Sequence, residues 1–206
     1  ENNFVWTVVE DHINPNVLFI GTEFGMYFSM DAGASWRKFN KVPTIPIRDL
    51  EIHEAEDDLV AASFGRGFYI VDDYSPIREY SRQIDGLPAY LFSVKSTYQY
   101  IVAAPEKTAT GHNFFTSPNP PYGVKLSYYL GNSILSKFEE RQNEESNKFN
   151  KGETIDYPTA KKLEDEAKEK TPKIYLTISD SEGKVVRRIS SNKNKGYHEK
   201  YWDLRT

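Results

Sequence analysis

The sequence predicts an all-β protein in two parts, and three observations carry that expectation. Aromatic residues form 14% of the 206-residue chain, with 14 Tyr and 12 Phe, and aromatics pack well on pleated surfaces. The first 75 residues contain an internal repeat: Leu18-Phe19-Ile20-Gly21-Thr22 returns as Leu59-Val60-Ala61-Ala62-Ser63, 41 positions later (59 − 18). Each copy runs through a glycine turn, Glu23-Phe24-Gly25 or Phe64-Gly65-Arg66-Gly67, into an aromatic strand. A period near 40 residues with several short strands per unit is the spacing of β-propeller blades. Third, further strand signals follow a boundary near residue 88, with turn chemistry between them, as in a small antiparallel sandwich.

The elements follow in order. The first blade places strands at 5–9, 17–22, 26–30 and 36–39, the second at 47–53, 59–63 and 68–71. Between the third and fourth strands of the first blade lies Ser29-Met30-Asp31-Ala32-Gly33-Ala34-Ser35-Trp36, which fits S-x-D-x-G-x-x-W. Each defining residue has a mechanical role. The Asp31 carboxylate accepts from N–H groups of its own turn, Gly33 takes positive φ, and Trp36 is expected to open the next strand and bury its ring. After Val71 the chain reads Asp72-Asp73-Tyr74-Ser75-Pro76 instead, so the second blade lacks a fourth strand of its own. The expectation is an exit from the propeller, with the missing strand supplied from an N-terminal part of a longer protein, leaving no open edge. Residues 1–80 are thus read as the last two blades.

A linker at 81–89 follows, containing Asp85-Gly86-Leu87-Pro88. Residues 90–206 are expected to form an Ig-like β-sandwich of five or six strands, at 90–94, 98–102, 123–130, 174–178, 185–189 and 198–204, with a loop-like stretch at 105–123. The run at 123–130 alternates with period two, as a half-buried strand does. Residues 132–171 form a charged, partly helical insertion. Its 160–168 run predicts an exposed helix with Pro158 near the first turn, and the insertion is read as solvated, with a partner-binding hairpin as the other possibility.

Composition limits the function classes. The net charge of −4 gives no case for nucleic acid or an anionic membrane as partner. The chain has no cysteine, so neither a disulfide framework nor a thiolate metal site is available. No apolar run reaches the roughly 18 residues of a membrane-spanning helix. The chain begins Glu1-Asn2-Asn3 and stops within a strand-like run ending at Thr206, which is read as a piece of a longer protein.

The Ser29–Trp36 pattern resembles the Asp-box of propeller proteins, a group that includes sialidases, xyloglucanase-type glycosidases and sortilin-type receptors. Residues 14–25, the Asp-box, Pro46-Ile47-Arg48-Asp49-Leu50 and Phe64-Gly65-Arg66-Gly67-Phe68-Tyr69-Ile70-Val71-Asp72-Asp73 together resemble the closing blades of large sortilin-like propeller proteins. Such proteins are common in Bacteroidetes and often carry a glycosyl hydrolase label. Residues 179–187 and Tyr201-Trp202-Asp203-Leu204-Arg205 resemble the Ig-like module that follows those propellers, related to flagellar hook-cap Ig domains. The resemblance covers all but the insertion. It implies a periplasmic, secreted or cell-surface protein whose partners are the remainder of the propeller and a glycan or peptide ligand.

No catalytic centre emerges from the residues. A glycosidase needs two carboxylates held roughly 5 to 9.5 Å apart, and no motif selects a pair. Before residue 75 the arginines are Arg37, Arg48 and Arg66, and two blades cannot assemble the triad by which sialidases hold a carboxylate, whose members are spread over several blades. His12, His53, His112 and His198 lack zinc spacing. Asp57-Asp58 and Asp72-Asp73 lack the EF-hand pattern and are read as solvated turn acids, so neither metal nor cofactor is expected. There is no nucleophile elbow. Blade topology ranks the remaining positions, because the turn from second to third strand and the entry to the first strand share a face that usually carries ligands. That selects Glu23, Phe24, Phe64 and Arg66 on the turns, and Arg48 and Asp49 at a strand entry. The expected role is non-catalytic scaffold or recognition. The rival is the C-terminal portion of a glycoside hydrolase whose catalytic carboxylates lie in other blades, and a third possibility is a purely structural surface component.

Overall fold

The computed structural model describes residues 3–80, 84, 86–101 and 117–205. Its elements are mostly strands in small, open, antiparallel sheets, with few helices. The chain divides into two compact units, Glu1–Asp85 with Thr116–Pro120, and Gly86–Phe115 with Pro121–Thr206.

The first unit contains two sheets. One runs in the order β1 (Val5–Glu10), β2 (Leu18–Thr22), β3 (Gly25–Ser29) and β4 (Arg37–Lys38), the other β5 (Ile47–His53), β6 (Asp58–Ser63) and β7 (Phe68–Val71). A short helix α1 (Pro76–Glu79) stands where a fourth strand of the second sheet would be. β4 begins one residue later than expected, and Trp36 lies outside it and is 39% exposed. Its ring covers its own turn: a Cβ on Gly33 would lie 3.5 Å from Trp36 Cζ2.

Cross-strand partners share a face of a sheet, so the registers define how the two sheets meet. Thr7, Val9, Phe19, Met26 and Phe28 lie on one face of the first sheet. Leu50, Ile52, Leu59, Ala61, Tyr69 and Val71 lie on one face of the second. These two faces and Ile47 form the core, which Val17, Val42 and Tyr74 complete. The sheets approach closely at Gly21, where a Cβ would lie 2.7 Å from the Ile47 carbonyl oxygen.

The repeat makes this contact heterologous. Equivalent positions are offset by 42 in the first and third strands (47 − 5, 68 − 26) and by 41 in the second (59 − 18). The buried face of the second sheet therefore corresponds to Val5, Val8, Leu18, Ile20 and Tyr27 in the first, which form the face turned away from the contact. Val8 is 63% exposed where its counterpart Leu50 is buried, and Phe68 is 74% exposed where its counterpart Met26 is buried. Each sheet thus buries a different face of one common design and leaves the complementary face open.

The second unit holds the sheet β12–β9–β8 and the hairpin β10–β11, built from β8 (Ala89–Leu91), β9 (Val124–Leu130), β10 (Ile174–Ser179), β11 (Val185–Ser191) and β12 (Gly196–Trp202). β8 is shorter than expected. Residues 98–101 are not a strand, and Val102 lies outside the described residues. β9 is buried on both faces from Leu126 to Leu130, unlike the expected half-buried strand. On one face Tyr128 Oη bonds Ser191 Oγ at 2.7 Å and donates to the Asn192 carbonyl at 2.8 Å. On the other, Tyr197 Oη donates to Ser127 Oγ at 3.0 Å and Phe92 meets the Tyr90 and Tyr197 rings edge-on.

The insertion carries two helices, α2 (Lys137–Asn150) and α3 (Ala160–Lys168). α2 starts with a reciprocal capping box between Ser136 and Glu139, the S-x-x-E signature of a helix start. Thr159 caps α3, so Pro158 precedes the cap and does not enter the first turn. Neither helix buries a residue. They are joined by Arg141, whose Nε and Nη2 donate to the two carboxylate oxygens of Glu166 at 2.7 and 2.9 Å. That fork raises the Arg141 pKa and lowers that of Glu166.

Candidate ligand-binding site

Both sheets of the first unit carry the same irregularity at one end. The β1–β2 register shifts between Val5 and Thr7, and the β5–β6 register between Ile47 and Asp49. Each shift is a one-residue bulge, at Trp6 and at Arg48, and bulges re-aim the side chain they carry. The turns beside them repeat as well. Thr22 Oγ1 donates to the Gly25 carbonyl at 2.9 Å, and Ser63 Oγ donates to the Gly67 carbonyl at 2.7 Å. The Glu23 N–H bonds the Phe4 carbonyl at 3.0 Å, and the Phe64 N–H bonds the Pro46 carbonyl at 2.9 Å. Two copies of one backbone device therefore deliver Trp6 with Glu23, and Arg48 with Phe64, to the same end.

These four side chains meet. The Arg48 guanidinium carbon lies 3.6 Å from the Trp6 ring centroid and 5.2 Å from that of Phe64. The Trp6 ring in turn lies 6.5 Å from Phe4. Trp6 Nε1 donates to Glu23 Oε2 at 2.9 Å, while Arg48 Nη2 stays 4.0 Å from that oxygen, beyond a hydrogen bond. Arg48 Nε is buried without a hydrogen-bond partner among the described residues. The cation is thus held by rings on its faces, an arrangement worth about 0.5–2 kcal/mol per ring, and its donor edges remain unspent.

Of the six positions selected from the sequence, Glu23, Arg48 and Phe64 come together. Phe24 is half exposed on the same turn as Glu23, its N–H bonded to Thr22 Oγ1 at 3.2 Å. Asp49 is exposed and pairs with Ala62 on the open face of the second sheet, with Oδ1 accepting from the Leu50 N–H at 3.0 Å. Arg66 is exposed at a turn tip between Gly65 and Gly67, both at positive φ. Trp6 was not among the six, although its bulge in the first copy is the counterpart of that at Arg48 in the second.

The Ser29–Trp36 turn closes on itself. Asp31 Oδ1 accepts from Ser29 Oγ and the Ser35 N–H, both at 2.8 Å, and Asp31 Oδ2 accepts from Ser35 Oγ at 2.6 Å. The Gly33 N–H reaches Ser29 Oγ at 2.8 Å, with Gly33 at φ 87°. The second repeat follows this path partway. Tyr74 N–H bonds the Asp57 carbonyl at 2.8 Å as Ala32 N–H bonds that of Asn16 at 2.9 Å, before the chain turns into α1.

That departure builds a polar cluster that the sequence did not announce. Arg78 forks onto Asp11, Nε to Oδ2 and Nη2 to Oδ1, both at 2.7 Å, and Nη2 also donates to Asp57 at 2.6 Å. Tyr74 Oη donates to Asp11, and His12 Nδ1 lies 3.3 Å from Arg78 Nη2. The Asp11 side chain is fully buried, and those of Arg78 and Asp57 are 11% and 13% exposed. Asp57 is therefore a buried ion-pair partner, not a solvated turn acid. Burial alone would raise the Asp11 carboxyl, but bonds from Arg78, Tyr74 and the Asn14 N–H outweigh it and hold the pKa at about 2. Burial and the Asp11 carboxylate push the Tyr74 phenol up. The cluster pins the β1–β2 loop, the β5–β6 turn and α1 to one another.

Among the described residues, no group of three or more His, Asp or Glu side chains is placed to hold a metal ion, and no helix is long and apolar enough to cross a membrane. Comparison with protein-family models, curated proteins and solved structures gave no match.

Proposed function

We propose that the two sheets of the first unit are adjacent, terminal blades of a β-propeller, and that their bulged end recognises a ligand without catalysis. In this reading the second unit is an Ig-like module, the whole belongs to an exported bacterial protein of the sortilin-like kind, and the open faces are covered by further blades. The convergence of Trp6, Glu23, Arg48 and Phe64 on one end carries the recognition reading. Heterologous packing supports the propeller, because a contact that leaves complementary faces open can be repeated by further units and forms a ring where the rotation closes. Glu23 is the one carboxylate of the cluster, while Asp49 lies on another face, which favours binding over paired-carboxylate hydrolysis.

A glycan and peptide array probed with the 206-residue chain tests this. Saturable binding that Arg48→Met weakens is expected. Absence of any saturable ligand would leave the chain a structural component, and release of reducing sugar from a bound glycan would overturn the non-catalytic reading.

A further inference from the structure

We infer that the Trp6–Arg48–Phe64 stack takes a neutral saccharide, with two neighbouring hydroxyls bridging Arg48 and Glu23 and an apolar sugar face lying on Phe64. This rests on the recognition reading above and adds the ligand class. Three features select it. The first is a donor beside an acceptor. Arg48 makes no hydrogen bond among the described residues, its Nε being buried and its Nη2 4.0 Å from Glu23. Glu23 has one oxygen engaged, Oε2 with Trp6, and Oε1 is bonded to no described residue. A vicinal diol supplies what both lack, an oxygen that accepts from Arg48 and an O–H that donates to Glu23 Oε1.

Charge is the second feature. One guanidinium and one carboxylate sit side by side, so the site is neutral overall. An anionic ligand would meet the Glu23 carboxylate within reach of the same guanidinium, and a cationic one would meet Arg48. A neutral ligand satisfies both at no electrostatic cost.

The third is the platform. Phe64 is 67% exposed while Arg48 covers one side of its ring. Most of that residue is therefore open apolar surface beside the guanidinium, suited to the C–H face of a pyranose. The bulges fix Trp6 and Arg48 to the backbone of two packed sheets, so little ordering remains for binding to offset.

The test is isothermal titration of the 206-residue chain with cellohexaose, mannohexaose and xylohexaose as neutral probes, beside trigalacturonate and a tetrapeptide with a free C-terminus. At least one neutral hexasaccharide is expected to bind more tightly than trigalacturonate. Its Kd should rise about tenfold or more in Glu23→Ala, Arg48→Met and Phe64→Ala, as for loss of a hydrogen bond to a charged group or of a stacking ring. Phe68→Ala, exposed on an open sheet face, should change Kd by less than about twofold. Binding of trigalacturonate or the peptide alone, weakened by Arg48→Met, overturns the neutral-sugar class and leaves recognition standing. Sugar binding that ignores all three substitutions overturns the site, and silence from every probe overturns recognition as well.

Discussion

Gly21 stands at a close approach of the two sheets of the first unit, its missing Cβ 2.7 Å from the Ile47 carbonyl oxygen and 2.8 Å from Thr7 Cγ2. Both neighbours belong to strands that bury their faces in the core, so neither can yield freely. Gly21→Ala is expected to destabilise the first unit by about 1–3 kcal/mol, read as a lower urea midpoint. The equivalent residue of the second sheet is Ala62, on an open face, and Ala62→Gly should cost no more than about 1 kcal/mol. Equal effects at the two positions would mean that the close approach is not a tight constraint.

The Arg78–Asp11 pair makes stability depend on pH. The Asp11 carboxyl titrates at about 2 in the folded chain, below its value of about 3.9 when unfolded. Its contribution, about 2–3 kcal/mol, is therefore complete above the unfolded pKa and is lost as pH falls through the folded one. A stability profile from pH 6 to pH 2 should lose this slope in Asp11→Asn.

Removing the cation is more severe than removing both charges. Arg78→Met leaves a fully buried carboxylate unpaired and is expected to cost about 3–5 kcal/mol, whereas Arg78→Met combined with Asp11→Leu should recover a substantial part of it. A double-mutant cycle by chemical denaturation gives the coupling directly, and additive losses would contradict it.

In the insertion, Ser136 accepts from the Glu139 N–H while Glu139 reaches back to the Ser136 N–H. Ser136→Ala should weaken α2 by about 1 kcal/mol, seen as lost helical ellipticity. The titration response of the Glu166 carboxylate, depressed by Arg141, should move up towards the ordinary range in Arg141→Met, measured by side-chain NMR.

Phe68 and Ile70 stand 74% and 58% exposed on the open face of β7. Contiguous apolar surface of this kind drives association. The 206-residue chain should sediment with concentration-dependent mass, and the pair Phe68→Asp with Ile70→Lys should suppress it. Unchanged association in that variant would place the contact elsewhere.

Much of this was legible because its causes are local. The repeat of Leu18–Thr22 at Leu59–Ser63 placed two sheets correctly, since strand period and glycine turns are written within a few residues. The Ser29–Trp36 pattern foretold the N–H bond to Asp31 and the positive φ of Gly33, but not the two serine hydroxyls on Asp31, and Trp36 lies across its turn instead of inside the core. What stayed hidden needed distance in sequence. Arg78 and Asp11 are 67 positions apart, and nothing beside either residue announces the other. The bulges at Trp6 and Arg48 were invisible for a related reason: a bulge is defined by the strand it pairs with. Glu23, Arg48 and Phe64 could be nominated from blade topology, but their meeting depended on the register of two sheets. Asp49 was nominated with Arg48 for lying at the strand entry, and one step along the strand turned it to another face.

The paired bulges act as sockets of one shape holding different plugs. Their hydrogen bonds run through backbone atoms of Phe4, Glu23, Pro46 and Phe64 and through the hydroxyls of Thr22 and Ser63, so the socket does not depend on what projects from it. Indole fills one and guanidinium the other. A chain built this way can exchange single plugs while its scaffold stays indifferent, and duplication of the unit would supply fresh sockets already aimed at the same end.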